Sequence, residues 1–472
     1  MQGIQGYIFQ TNKLKDIMGA SDLVANICDK LFLQQFAGTA QMIVHAAGNV
    51  KCIYDSEEEC RQAVRRFPKA AMEMAPGITI SQAVVKMEDG MCFKDAMDML
   101  EGRLHAQRNR PCKSVTRGDM AVERSRKTGV PAVEVAKTGD FVDESTQKKD
   151  EAANNLVHDS MLYDKLFGRK VRAAEIGFDT KDLTGGNDWI AVIHADGNGL
   201  GEVVASIGED PDSLHSFSQN LDNATSRAAQ TAYKNVVGDD SGHRHLPMRP
   251  IVIGGDDLTV ICRADIAVDF VKEYLKAFEE ESHKQTGYRL SACAGIAFVK
   301  SSYPFYYAYD LAETLCGKAK ADAKSDDMKH ANGGMAPSCL MFYKVQSSFV
   351  EDFDTIKRKE LTPVDGHSFC FGPYYVAEQK DRWTVDKLMQ QEKRLAEDAN
   401  NPIKTAVRKW LSLMHYNVDA AKQHSERVCA LHGKQQNDLY MAAVTGTKRN
   451  DGACYPAYDV LSLHTVIYQK TK

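Results

Sequence analysis

The chain has 472 residues, 43% hydrophobic and 26% charged, with a formal net charge of −5. This length suits about two to four domains with their own cores, and the slightly acidic total excludes a global attraction to nucleic acid, so any such contact needs a local patch. No apolar run reaches the ~18 residues of a membrane helix, and the start MQGIQGYIFQTNKLKD lacks both the basic and the apolar part of a secretory signal. No membrane contact and a cytoplasmic location are therefore expected. Twelve cysteines are scattered without any C-x-x-C, a pattern of core residues rather than of disulfides or zinc.

Residues 1–112 open with a helical stretch around LKDIMGASDLVANI. Two apolar runs about a small-residue bend follow (QMIVHAAGNVKCIYD), then a helix (SEEECRQAVRRFPKAAMEM), a strand (GITISQAVVKM) and a helix (CFKDAMDMLEGRLHAQ). Residues 113–185 are rich in charge, Thr and Gly and form a connecting module, helical near QKKDEAANNLVHDSMLYDKLF. Residues 186–345 alternate cleanly. WIAVIH is a buried strand, LHSFSQNLDNATSRAAQTAYKNVV a helix, and MRPIVIGGDDLTVICR a hairpin with GGDD at its bend. ADIAVDFVKEYLKAFEEES is a helix, YRLSACAGIAFV a strand, PFYYAYDLAETLCGKAKADAK a helix and CLMFYKV a strand. Residues 346–472 begin irregularly (LTPVDGHSFCFGPYYV) and end as a helical domain.

The expected fold class is α+β, with two ferredoxin-like βαββαβ units, the Palm fold of many polymerases and nucleotide cyclases. The first is degenerate: Ala46, Ala47, Gly48 and Asn49 fall where Gly254, Gly255, Asp256 and Asp257 stand in the second, so its acids are gone. It also lacks an opening strand, since Met1 lies where the loop after that strand begins. An open sheet edge is expected there unless a partner or a second copy, making a homo-oligomer, covers it.

The end of the first strand of a ferredoxin-like sheet and the bend of its central hairpin are neighbours, so Asp196, Asp256 and Asp257 are expected to converge. Clustered carboxylates repel and call for a cation. Mg²⁺ or Mn²⁺ prefers such oxygen ligands. Asp196, the carbonyl of Gly197, Asp256 and Asp257 suit about two ions, which would activate a sugar hydroxyl and stabilise a triphosphate with its leaving pyrophosphate. Gly254 and Gly255 let a nucleotide approach the hairpin. Gly197, Asn198, Gly199 and Gly201 form a loop before a helix N-terminus that suits phosphate. Lys320 and Lys324 share a helix face, with Lys318 nearby, and could neutralise the triphosphate.

Each feature has a plainer reading. A GG pair at a hairpin is by itself only a turn, the lysines taken singly are solvated, and DGNG fails as an EF-hand because Ile207 stands where the bidentate glutamate belongs. The conjunction at Palm spacing carries the metal and nucleotide assignment. His158 with Asp159 is a lone HD pair on a helix, and His243 and His245 lie in a loop. The basic cluster Arg103, Arg108, Arg110, Lys113, Arg117, Arg124, Arg126 and Lys127 is a solvated linker before it is an RNA contact.

In order, GIQGYIFQTNKLKDIMGASDLVANI, HADGNGLG, IVIGGDDLTVI, LSACAGIAFVKSSYPFYYAYDLAETLCGKAKADAK and FGPYYV resemble the large Palm-domain subunit of type III CRISPR effector complexes, the CRISPR polymerase family. The resemblance implies that Asp256 and Asp257 are the GGDD acids, Asp196 the first-strand acid and Lys320 the lysine of the AK helix motif. It implies nucleoside triphosphates as substrates, ATP first, joined into cyclic oligoadenylate that a downstream effector protein reads in antiviral defence, with an RNA or protein activator. The first Palm motif begins at residue 2, so no HD nuclease and no DNA cleavage are expected. The connecting region keeps the family's frame without its cysteines, so no zinc is expected, and Cys293 replaces a serine. Two other readings stay open: a nucleotide-binding scaffold subunit of an RNA-guided complex, against which the intact acids argue, and a GGDEF-type cyclic dinucleotide synthase, against which GGDD and the duplicated Palm argue.

Overall fold

The structure is a computed structural model that describes residues 1–46, 48–110, 121–136, 138–156, 160–184, 188–207, 210–238, 245–332, 334–347, 351–449 and 452–467. In the first unit, helix α1 (Leu14–Asn26) precedes an antiparallel hairpin of β1 (Gln41–Ala46) and β2 (Asn49–Ile53), then α2 (Glu57–Met74) and α3 (Phe93–Arg108). Ser56 starts α2 by accepting the amide of Glu59 at the third helical position. The expected strand at GITISQAVVKM does not form. Thr79 makes one antiparallel bridge to Gln2, and among the described residues no further strand pairing holds this segment. Strands exist by pairing, and beyond that bridge this segment has no neighbouring strand among the described residues.

The connecting residues are less loose than their composition suggests. They supply α4 (Glu144–Asn155) and α5 (Met161–Phe167), and α4 lies directly on α1. A Cβ on Gly19 of α1 would stand 1.8 Å from the carbonyl oxygen of Lys149, so only glycine permits this approach. The buried Lys149 ammonium then donates to the Tyr7 carbonyl at 2.9 Å and to Gln10 at 3.0 Å, which satisfies a charge that burial alone would make costly.

The second unit follows its sequence pattern closely. It comprises β3 (Trp189–Gly197), α6 (Pro211–Val237), β4 (Met248–Gly254), β5 (Asp257–Arg263), α7 (Ala267–Thr286), β6 (Ala292–Lys300), α8 (Phe305–Ala323) and β7 (Cys339–Lys344). Ile190, Ala191, Val192, Ile193 and Ala195 have no exposed surface, because β3 is the centre of the sheet with helices covering it. The sheet has six strands in the order β8-β7-β6-β3-β5-β4, where β8 (Tyr374–Tyr375) is a short edge strand from beyond the expected end of this unit at residue 345. Within it, β6-β3-β5-β4 is the all-antiparallel ferredoxin-like arrangement, and β7 adds in parallel to β6. Ala195 pairs with Leu258 and Gly254 with Asp257, which brings the end of β3 beside the hairpin bend.

The first unit braces this sheet. Asn12 caps α8 by accepting the Phe305 amide at 2.8 Å, Ser21 donates to the Ile251 carbonyl, and Phe9 stacks on Tyr309 with ring centroids 5.0 Å apart. The C-terminal residues form α9 (Val385–Ala396), α10 (Asn401–Met414), α11 (Val418–Leu431), α12 (Lys434–Val444) and α13 (Ala457–Ile467), helical as expected. No helix among the described residues is long and apolar enough to cross a membrane.

Candidate metal and nucleotide site

Asp196 is the penultimate residue of β3, Asp256 lies in the bend between β4 and β5, and Asp257 opens β5. One carboxylate oxygen from each lies within 4.8 Å of the others, and all three side chains are half-buried. Glycine makes this convergence possible. A Cβ on Gly197 would stand 2.8 Å from the Asp256 Cβ, and Gly255 sits at φ 61° at the first central position of the bend.

The bend is clamped from behind by two residues of α6 that the sequence reasoning missed. Thr225 donates its hydroxyl to the Gly255 carbonyl at 2.5 Å, and the Gly255 amide donates to Asp222 at 3.2 Å. Asp222 is held in turn by Lys165 of α5 at 2.9 Å. Asp222 and Thr225 lie three residues apart on one face of α6, a spacing visible in the sequence but unremarkable among other polar pairs.

Burial, followed by the charge of Asp196, pushes the Asp256 carboxyl up to about 6. Burial, followed by the charges of Asp256 and Asp196, pushes Asp257 up to about 7. These acids sit too close together and too dry to be comfortably ionised without more positive charge than the protein supplies. What it supplies is Lys320 of α8, whose ammonium donates to Asp196. Burial pulls that ammonium down, but the hydrogen bond and charge of Asp196 outweigh it and hold it above its ordinary range. A set of hard carboxylate oxygens with an unbalanced charge fits Mg²⁺ or Mn²⁺.

The other expected site residues divide. Gly199, at φ 78°, faces open space where a Cβ would meet nothing within 4 Å, and so leaves the loop accessible. Gly254 is paired with Asp257 as the last residue of β4, so it shapes the bend. Asn198 is a correction: its amide donates to the Ser291 carbonyl at 2.7 Å and its side chain to Ser291 and Cys293 at 3.1 and 3.2 Å. It is 4% exposed and ties the loop to β6, leaving no donor for a nucleotide.

Lys318 is a second correction, since it pairs with Asp354 at 2.6 Å. Lys324 is exposed at the C-cap of α8 and forms no ion pair among the described residues.

Ala47, Cys112, Lys113, Arg117, His158, Asp159 and His243 lie outside the described residues. His245 faces Asp182 at 3.7 Å. Members of the basic cluster are engaged by the protein: Lys127 with Asp16 at 3.3 Å, Arg124 with the Gly129 carbonyl at 2.8 Å, and Arg103 with the Val84 carbonyl.

Residues 189–329 match the family model described as Cas10/Cmr2, second palm domain. A comparison with curated proteins found no match. Among solved structures, the Csm1-Csm4 cassette in complex with cA4 aligns over 99% of this chain and 69% of that one, at 14% identity and a TM-score of 0.55. The Csm1-Csm4 subcomplex in the type III-A CRISPR-Csm interference complex aligns over the same shares at 14% identity and a TM-score of 0.54. The cassette in complex with one ATP does so at 14% identity and a TM-score of 0.53. At that identity the likeness is one of fold. Residues 189–329 thus match a Cas10/Cmr2 second palm domain, and the whole chain resembles the large Palm-domain subunit of type III CRISPR effector complexes, as the order of its motifs implies.

Proposed function

We propose that the protein is a metal-dependent nucleotidyltransferase that joins nucleoside triphosphates, ATP first, into a short linear or cyclic oligonucleotide messenger for antiviral defence. The observation that carries this reading is the convergence of Asp196, Asp256 and Asp257 at one edge of a ferredoxin-like sheet. Support comes from the match of residues 189–329 to a second palm domain, and from neighbours of similar fold in complex with AMPPNP, pppApA and cA4. A bound divalent pair would supply Lewis acidity at the attacking hydroxyl and at the leaving pyrophosphate.

The chain's own residues do the rest. Asp256 and Asp257, with Asp196 on the adjoining strand, would hold the ions. Gly197 and Gly199 leave room for the triphosphate, and Lys320, while holding Asp196, puts one positive charge beside the phosphates. The domains assigned to residues 1–112, 113–185 and 346–472 serve this centre as braces. A Csm4-like partner and an activating RNA belong to the same proposal.

The test is product chromatography with each labelled nucleoside triphosphate and Mg²⁺ or Mn²⁺, with and without RNA. Pyrophosphate release and a short adenylate product from ATP are expected. No pyrophosphate from any nucleotide under these conditions would contradict the proposal.

A further inference from the structure

The hairpin turn beside the acids can exist in two forms, and its own residues choose between them only weakly. Gly254 pairs with Asp257, so Gly255 and Asp256 are the two central residues of the turn. Gly255 has φ 61°, and Asp256 has a negative φ, because Asp188 and Asp381 are the two non-glycine residues with positive φ among the described residues. Positive followed by negative φ makes a type II′ turn, whereas type I′ needs positive φ at both positions. The forms differ by a half-turn of one peptide unit, the one joining Gly255 to Asp256. Glycine accepts either form, and aspartate tolerates positive φ better than most residues.

What holds this peptide comes from outside the turn. A two-residue loop closes through residues 254 and 257, which leaves the carbonyl and amide of Gly255 without ladder partners. Helix α6 supplies both. Thr225, which has no exposed surface, donates its hydroxyl to the Gly255 carbonyl at 2.5 Å, and Asp222 accepts the Gly255 amide at 3.2 Å. Lys165 of α5 completes the hold, donating to Asp222 at 2.9 Å and to the Ile253 carbonyl at 3.3 Å. The carbonyl and N–H of a trans peptide point in opposite directions. With the Gly255 carbonyl turned to α6, the Asp256 N–H faces the other way, toward its own carboxylate.

Resting on the metal and nucleotide reading of the three acids, we propose that Thr225 and Asp222 are positioning residues that select the turn form. They keep the Gly255 carbonyl on the helix side and the Asp256 N–H on the side of the acids. A triphosphate there would meet a donor instead of an oxygen. The flipped turn would do the reverse, adding a carbonyl oxygen to three carboxylates and withdrawing the donor. Removing the Thr225 hydroxyl leaves a buried carbonyl unpaired, a cost that the flip relieves, so the flipped form would become populated and the competent fraction would fall.

The experiment follows Mn²⁺ binding to the full chain by paramagnetic resonance of the free ion, with and without a non-hydrolysable ATP analogue, well below each variant's melting temperature. Thr225→Val keeps the shape without the hydroxyl, and Thr225→Ala does the same with a better helix former. Both are expected to weaken Mn²⁺ binding in the presence of the analogue by about tenfold, or ~1.4 kcal/mol. Thr225→Ser, which keeps the donor, should restore it to within about twofold of wild type. Ser226→Ala is the control on the same helix, since that hydroxyl bonds the Asp222 carbonyl within α6, and it should leave the affinity unchanged. Wild-type binding matched by Thr225→Val and Thr225→Ala would overturn this inference and leave the metal site standing, as would a loss that serine does not restore. No saturable Mn²⁺ binding by the wild type would overturn the metal reading and this inference with it.

Discussion

Asp256→Asn is expected to lose nucleotide turnover by on the order of 10³-fold or more while raising the melting temperature of the metal-free protein. Both effects come from the same charge. In the proposed turnover the Asp256 carboxylate would be an ion ligand, and an amide oxygen of the same shape carries no net charge to hold a divalent cation. Without metal that carboxylate is a liability, because burial and then Asp196 raise its carboxyl to about 6 from an ordinary 3.8. The raised folded-state value fixes the sign of the pH dependence. Between about pH 4 and 6 the folded chain holds a proton the unfolded chain has released, so stability falls as pH rises and the loss levels off above about 6. Asparagine has no such loss. Its advantage should grow across that window to about 1–3 kcal/mol, a few degrees in Tm, and Mg²⁺ should stabilise the wild type but not the variant. Thermal melts from pH 4 to 8 with and without Mg²⁺, beside pyrophosphate release, check both halves.

Gly295→Ala should be the most damaging small substitution in the second unit. Gly295 lies mid-strand in β6, where α8 crosses so closely that a Cβ would stand 1.9 Å from the Ala312 carbonyl oxygen and 2.5 Å from the Cys316 nitrogen. Those atoms are helix backbone and cannot rotate away, so the helix must lift. The expected cost is about 3 kcal/mol or more, a Tm loss of roughly 6–12 °C. Turnover should fall as well, because α8 carries Lys320 to Asp196. Gly317, on the same helix, is the control: it is exposed and a Cβ there meets nothing within 4 Å. Gly317→Ala should be neutral or stabilise by up to ~1 kcal/mol through helix propensity. Thermal denaturation of both variants decides the matter.

These two positions show where the sequence is legible. The strands of the second unit, its GGDD bend and the meeting of the three acids follow from apolar runs and Palm spacing, because a strand buried on both faces leaves a continuous apolar signature. Ferredoxin-like topology, in which the end of the first strand neighbours the bend of the central hairpin, predicted Asp196 beside Asp256 and Asp257.

What escaped are choices among equivalent polar groups. Asn198 could face a phosphate or the sheet, and only the nearness of Ser291 and Cys293 decides for the sheet. Lys318 could reach the acids or Asp354, which lies on a helix of seven residues, Phe353–Lys359, too short for a period to show. The apolar alternation of GITISQAVVKM is that of a strand, yet alternation promises only compatibility, and among the described residues the segment pairs through the single Thr79–Gln2 bridge. Tyr374 and Tyr375 join the sheet from a stretch too short for any period to show.

The central claim is that the three acids act together as a metal and triphosphate site, and calorimetric titration of the full chain with Mn²⁺, alone and with a non-hydrolysable ATP analogue, tests it most directly. Saturable Mn²⁺ binding that tightens with the analogue, and that is lost in Asp196→Asn, Asp256→Asn and Asp257→Asn alike, is predicted. Undiminished Mn²⁺ and analogue affinity in all three variants would contradict the account.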